Sequence, residues 1–401
     1  MPKPPLRTAE FIALFSLTTS LTALSIDAIL PALRDIGQAL AVADSNDTQF
    51  IITVFILGMV FGEMFFGPVS DALGRKPAIL IGLVIYAVGS LVAMTASSIE
   101  EVLIGRMIQG IGVSGPKIAT RALVRDQYEG AAMARMMSFI FMVFILVPML
   151  APALGQAVLL FADWRAIFVV FLVLAAVVAL WLGLRQPETL APSRRIAFSM
   201  TTILGNGALI LRHAKVMAYT FAAGFIFGAL LLYLSTSQAI FLDLYGIDEA
   251  FPLYFAILAL GIGIASFSNS QLVMRYGMHR LSVVALCGLV IFASALLGVA
   301  LWYDGVPPFP AFMTLCFLVF FCNGLLFGNL NALAMQSLGR VAGLGSSVIS
   351  SVSSIVAVVM SVAVGRFYDQ TALPLAAGFI LAGAVSLGLV LAAKRSHAGE
   401  I

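Results

Sequence analysis

Charge is scarce in this chain: Asp, Glu, Lys and Arg supply 10% of its 401 residues, where an ordinary soluble domain carries roughly 25%. With 61% of the residues hydrophobic, a soluble globule is excluded, because no single core hides that much apolar surface from water. Cysteine is scarcer still. Cys287, Cys316 and Cys322 all fall in apolar runs without C-x-x-C spacing, so they read as small buried hydrophobes, not as ligands or disulfides. The histidines do not cluster, and there is no G-x-x-x-x-G-K-[ST] turn and no nucleophile constellation. Metal chemistry, ATP drive and enzymatic catalysis are therefore not indicated, and no nucleotide or metal cofactor is expected. A net charge of +3 does not suggest nucleic acid.

Long apolar runs are what the chain has in abundance. Twelve are long enough to cross the roughly 30 Å hydrocarbon core as helices, near 11–31, 48–66, 77–97, 101–121, 135–160, 164–184, 216–240, 251–272, 281–302, 310–335, 341–365 and 373–393. The fold class is read as all-α and integral to a lipid bilayer. If both termini are cytoplasmic, the inside segments collect Arg75, Lys76, Arg121, Arg125, Arg194, Arg195, Arg275, Arg280, Lys394 and Arg395, among others. The outside loops keep only Arg34, Arg165 and Arg366. That asymmetry is the positive-inside pattern, and it supports an even number of spans independently of hydropathy. The first run is too long for a signal-peptide core and no small-residue cleavage site follows it, so it is expected to remain as the first helix.

One inter-span segment is long, from Arg185 to Lys215, and it divides six spans from six. This predicts an N-terminal bundle over 1–190, a cytoplasmic linker over 191–215 and a C-terminal bundle over 216–401. Tyr276-Gly277-Met278-His279-Arg280 sits where Leu73-Gly74-Arg75-Lys76-Pro77 sits in the first half, with Met274 in the place of Asp71. Two pseudo-symmetric six-helix bundles follow the repeat logic of secondary transporters, which bind cargo near the midplane.

A few polar residues inside or between these runs are candidates for the chemistry. Asp27 lies within the first run, where an ionised carboxylate costs about 2.5–3.5 kcal/mol, so the position suits a carboxyl that takes up and releases a proton. Glu63, low in the second run, is a candidate to share that role. Arg106 lies more than a turn inside the fourth span and is expected to face the bundle interior, with Gln109 and Gly110 on its face. Lys117, near the inner end, reads as a snorkelling residue. The segment Gly67-Pro68-Val69-Ser70-Asp71-Ala72-Leu73-Gly74-Arg75-Lys76-Pro77 reads as a polar turn that lipid forbids. In it, Gly67 and Gly74 allow close approach or turning, Asp71 is read as a cap for a helix start, and Arg75 as the partner of an acid such as Asp126. With Lys76, these residues form a candidate conformational switch whose contacts exist in one access state and break in the other. Pro148, Pro152 and Gly155 share one face of the fifth span and can bend it or admit a neighbour. Gly58 and Gly62 form a G-x-x-x-G packing pair. Phe141, Met142, Phe144, Tyr233, Gln238, Asn323, Asn329 and Asn331 are candidates for lining a cargo cavity.

These fragments, taken in order, resemble the major facilitator superfamily, and within it the twelve-helix drug:proton antiporters of the bicyclomycin/chloramphenicol-resistance type. The turn is similar to the superfamily's G-x-x-x-D-x-x-G-R-K loop at Gly67, Asp71, Gly74, Arg75 and Lys76. Arg106 to Gly112 resembles the R-x-x-Q-G-x-G helix, and Asp27 to Pro31 the first-helix D-x-x-x-L-P element. Ala151-Pro152-Ala153-Leu154-Gly155 followed by Trp164-Arg165-Ala166-Ile167-Phe168 resembles the fifth-helix antiporter signature and its sequel. Two positions depart from the pattern: Gln156 replaces a second glycine, and Glu63 stands where these antiporters more often carry Gln. The resemblance implies export of small amphipathic drug-like compounds across the bacterial inner membrane, driven by the proton gradient, with the protein working as a monomer. Under it, Arg106 steers the charge of the proton site or bridges helices by hydrogen bonds. The alternative on the same scaffold is proton symport of a sugar or organic acid, against which the fifth-helix Pro/Gly pattern argues.

Overall fold

The structure, a computed structural model, describes residues 7–128, 147–195, 210–336, 338 and 342–395. Among them every regular element is a helix. In chain order the α-helices are α1 (Thr8–Asp27), α2 (Leu33–Ala39), α3 (Phe50–Leu73), α4 (Arg75–Met94), α5 (Ile99–Gln127), α6 (Val147–Leu159) and α7 (Arg165–Arg185). They continue with α8 (Ala214–Ala239), α9 (Phe251–Tyr276), α10 (Met278–Trp302), α11 (Phe309–Met335), α12 (Ala342–Gly365) and α13 (Leu373–Arg395). Ten stretches are long and apolar enough to cross a membrane. The 29-residue α5, made more polar by Arg106, Gln109 and Lys117, is not among them, and the described part of α6 is shorter. Setting aside the short α2, which continues the first span, this is the twelve-helix membrane architecture expected from hydropathy.

Side chains cap the starts of some of the long helices, His213 accepting from the Val216 N–H at the start of α8. Ser98 caps α5, its hydroxyl accepting from the Glu101 N–H, while the Glu101 carboxylate accepts from the Ser97 N–H at 2.7 Å. Pro68 and Pro116 sit inside α3 and α5, a placement that membrane helices tolerate because neighbouring groups re-satisfy the freed carbonyls. Helix α8 ends in a π-turn over Ile240–Leu244.

The chain divides into two compact units, Met1–Ile203 and Leu204–Ile401. In the first, α5 packs against α3 and α4, and α4 against α7. Backbone meets backbone there: a Cβ on Gly110 would collide with the Phe55 carbonyl, one on Gly62 would lie 2.5 Å from the Ile111 carbonyl, and one on Gly82 2.6 Å from that of Gly112. The Gly58 and Gly62 pair thus has a partner, α5. In the second unit α8 is the hub, packed by α11, α12 and α13, and α11 also meets α9 and α10. Large exposed side chains on these helices, such as Phe61, Phe65, Val84, Leu180, Val284 and Ile291, are apolar, as a lipid-facing surface requires.

Two sequence expectations need correction. The segment from Gly67 to Pro77 is not one turn: α3 runs through Gly67, Pro68 and Asp71 to Leu73, and α4 starts at Arg75, so only Gly74 breaks the helix. It does so at φ 116° and ψ 162°, a conformation essentially confined to glycine. Cys287 is exposed on α10, whereas Cys316 and Cys322 are buried.

Candidate functional site

Asp27 is the last residue of α1, and the chain continues helically through Leu30–Ala32 into α2. It is therefore covered at a helix end, at 4% exposure, and its carboxyl has no hydrogen-bond or ion-pair partner among the described residues. The carbonyl of the next residue, Ala28, is where Gly155 packs: a Cβ on Gly155 would collide with it. Pro152 and Gly155 are buried and Pro148 is half-buried, so this face of α6 closes on the end of α1 beside the acid.

Arg106 is fully buried and reaches two other helices as well as its own. Its Nε donates to the Ile51 carbonyl of α3 at 3.0 Å, Nη2 to the Ser25 carbonyl of α1 at 2.7 Å, and Nη1 to Gln109 Oε1 at 2.9 Å. The guanidinium also lies 4.2 Å from the centre of the Phe55 ring. Its positive charge is thus met by carbonyl dipoles and a π face, with no carboxylate in hydrogen-bond reach among the described residues. Gln109 passes the network on to Ser90 at 2.6 Å, and the Ser25 hydroxyl shares a 2.6 Å hydrogen bond with the Tyr86 hydroxyl. Ser25 is two residues before Asp27, so the network fixes the turn of α1 that presents the acid. Ser25, Tyr86 and Ser90 escaped sequence reasoning. Their one signal was hydroxyl groups at a four-residue spacing, Tyr86 and Ser90, on an otherwise apolar helix.

At the α3–α4 junction Arg75 is the centre. Its guanidinium pairs with Asp71 one turn earlier and with Asp126 of α5 at 2.9 Å, and it donates to Ser70 at 3.1 Å. Asp71 therefore does not cap a helix start; α3 is still helical there and its carboxylate is spent on Arg75. The cap of α4 comes from Glu188, just beyond α7. That carboxylate accepts from the backbone N–H of both Arg75 and Lys76 at 3.0 Å, where the positive end of the helix dipole favours an anion. Lys76 reaches the Gly183 carbonyl at 2.8 Å, and Thr189 donates to Asp126 at 3.2 Å. Gly67 lies two turns back, inside α3, and takes no part in the turn.

Glu63 is at 0% exposure, and one of its carboxylate oxygens takes the ammonium of Lys117 from α5. Lys117 thus turns inward, because a buried acid on the neighbouring helix outcompetes the headgroup region that snorkelling would reach. In the second unit, Tyr233 stacks on Phe255 and meets Phe320 edge-on at 4.7 Å, while Asn323 donates to the Ile226 carbonyl of α8 at 3.3 Å. Tyr233, Gln238 and Asn323 are all buried on α8 and α11. Asn329 instead exchanges amide hydrogen bonds with Asn269 of α9, and Asn331 donates back to its own helix at Phe327. Phe141, Met142 and Phe144 lie outside the described residues. Among the described residues no group of three or more His, Cys, Asp or Glu is placed to hold a metal ion.

With this geometry in place, comparison with known proteins is informative. The family profile described as Major Facilitator Superfamily matches residues 15–361. A bicyclomycin resistance protein homolog from Haemophilus influenzae is 30% identical over 371 residues, covering 91% of this chain and 91% of that protein. Multidrug resistance protein D from Escherichia coli is 28% identical over 336 residues, 81% of each chain. Among solved structures, a D-xylose-proton symporter superposes with a TM-score of 0.76 over 96% of this chain and 97% of that one, at 13% identity, a likeness of fold alone.

Proposed function

The chain belongs to the Major Facilitator Superfamily, and from that premise we propose that it exports small amphipathic drug-like compounds from a bacterial cell in exchange for protons. Its relatives named for bicyclomycin and multidrug resistance support this cargo class. The single observation that carries the proton coupling is Asp27, buried to 4% with no partner among the described residues, in the arm of α1 that Arg106 and Gly155 hold in place. A carboxyl so placed is neutral at low cost and charged at high cost, so each change of its surroundings between access states moves a proton. Glu63 is the weaker candidate, because its charge is already matched by Lys117.

In this reading Asp27 takes a proton from the outer side and loses it toward the cytoplasm as drug loads, the two steps alternating with the state of the switch around Arg75. Both chain termini face the cytoplasm, the membrane is the bacterial inner membrane, and the working unit is a monomer. With an uncharged drug and one proton per cycle, net charge crosses the membrane, worth about 2.3 kcal/mol per 100 mV. Purified protein in sealed proteoliposomes tests this: an imposed pH gradient is expected to drive accumulation of an uncharged amphipathic antibiotic, with the gradient collapsing faster when the drug is present. Drug flux indifferent to the gradient overturns the assignment.

A further inference from the structure

Glu63 and Lys117 are left without a task once Asp27 carries the proton. Glu63, on α3, is fully buried, with one oxygen on Lys117 and the other, Oε2, buried without a hydrogen-bond partner. The Lys117 side chain keeps 23% of its surface, so the pair is approached from its cationic end. Arg121, one turn further along α5 and exposed, is within electrostatic reach of the same carboxylate. Glu63 is therefore paired with Lys117 and also lies in the field of a second cation. As a folding device the arrangement is poor, because a buried pair with a bare oxygen does no better than apolar side chains of equal volume. Ionisable groups inside a membrane bundle mark the path of cargo or ions.

We propose that Lys117 determines the charge class of the cargo: by occupying Glu63 and adding to the positive charge of Arg121, it bars organic monocations and restricts transport to uncharged amphiphiles. Glu63 is the acid a cation would need, and the protein's own ammonium holds it. Removing that ammonium frees a buried carboxylate whose second oxygen is already bare, a strong counter-ion for a lipophilic cation in a low-dielectric setting. The inference rests on the export reading but fails separately from it.

The test is transport in everted vesicles of two probes, the permanent cation tetraphenylphosphonium and the uncharged antibiotic chloramphenicol. The wild type and Lys117→Arg are expected to carry only chloramphenicol. Lys117→Met is expected to gain tetraphenylphosphonium transport by about tenfold or more, the effect of one charge-assisted contact. The double variant Glu63→Gln with Lys117→Met is expected to lose that gain and keep chloramphenicol transport, which also certifies its folding. Wild-type transport of the cation, no gain in a Lys117→Met protein that still moves chloramphenicol, or a gain that survives in the double variant overturns the inference while export stands. A wild type that moves neither probe overturns both.

Discussion

The two units are both bundles of apolar helices but spend their buried polarity differently. Among the described residues, the buried charged side chains are Asp27, Glu63, Arg75 and Arg106, all in the first unit. The buried polar groups of the second unit carry no charge: Thr220, Ser235, Thr236, Gln238, Asn323 and Asn329 are hydroxyls and amides, set among rings such as Tyr233, Phe255, Phe320 and Phe379. A charge in a bundle is expensive and is retained where something titrates or switches, whereas hydroxyls and rings give adaptable contact at low cost. The difference teaches that charge is kept in the first unit, where the proposed proton site and switch lie, and that the second offers surface rather than charge.

The corresponding turns repeat the contrast. Gly74 and Gly277 both adopt positive φ with extended ψ, 116° and 162° against 75° and 152°. Around Gly74 stand Asp71, Arg75, Asp126 and Glu188, and a Cβ on it would lie 2.5 Å from the Glu188 carboxylate. Around Gly277 there is open space, and Met274, in the place of Asp71, is 86% exposed.

The largest effect that tests the contrast is at Asp27. Asp27→Asn is expected to cut drug-dependent proton exchange in proteoliposomes by about tenfold or more, equivalent to about 1.4 kcal/mol in the barrier, while substitution of the second unit's Asn329 by Asp does not restore it. Exchange at the parental rate in the Asn variant would dissolve the division of labour. Arg106→Lys comes next, because an ammonium cannot span acceptors on α1, α3 and Gln109 as the planar fork does. Losing charged hydrogen bonds in a buried site is expected to lower stability by about 1.5–3 kcal/mol, read as an earlier thermal unfolding in detergent. The paired substitutions Gly74→Ala and Gly277→Ala sharpen the comparison of turns. Each places alanine in a glycine-only region at a cost of about 1–3 kcal/mol, but the first also pushes Glu188 aside, so it is expected to lose more stability and to slow transport. Equal losses at both would remove the asymmetry. The smallest effect is at Glu188: its replacement by Ala uncaps α4 and is expected to cost about 1 kcal/mol, seen as a small drop in unfolding temperature.

Much of this was legible in the chain. The apolar runs fixed the number of long helices, and the rarity of arginine inside such runs was enough to turn Arg106 inward. Asp27 stood out because its neighbours are apolar. What was illegible depends on distant partners. Glu188 lies more than a hundred positions from the helix start it caps, and nothing local announces it. Lys117 has the sequence context of a snorkelling residue, and only the arrival of Glu63 from α3 redirects it. The extent of α3 was misjudged because Gly67 and Pro68 look like turn residues, yet in a packed membrane helix the chain has no better place for its backbone polar groups than the helix itself.

The seam of α5 with α3 and α4 carries one further implication. Glycines at 58, 62, 82, 105, 110 and 112 bring main chain onto main chain along its length, leaving no side-chain layer to slide or repack. Along that seam the three rods are consequently held as one body, and a shape change that accompanies a transport cycle falls where side chains join the helices instead, as the ion pairs of Arg75 do at the seam's end.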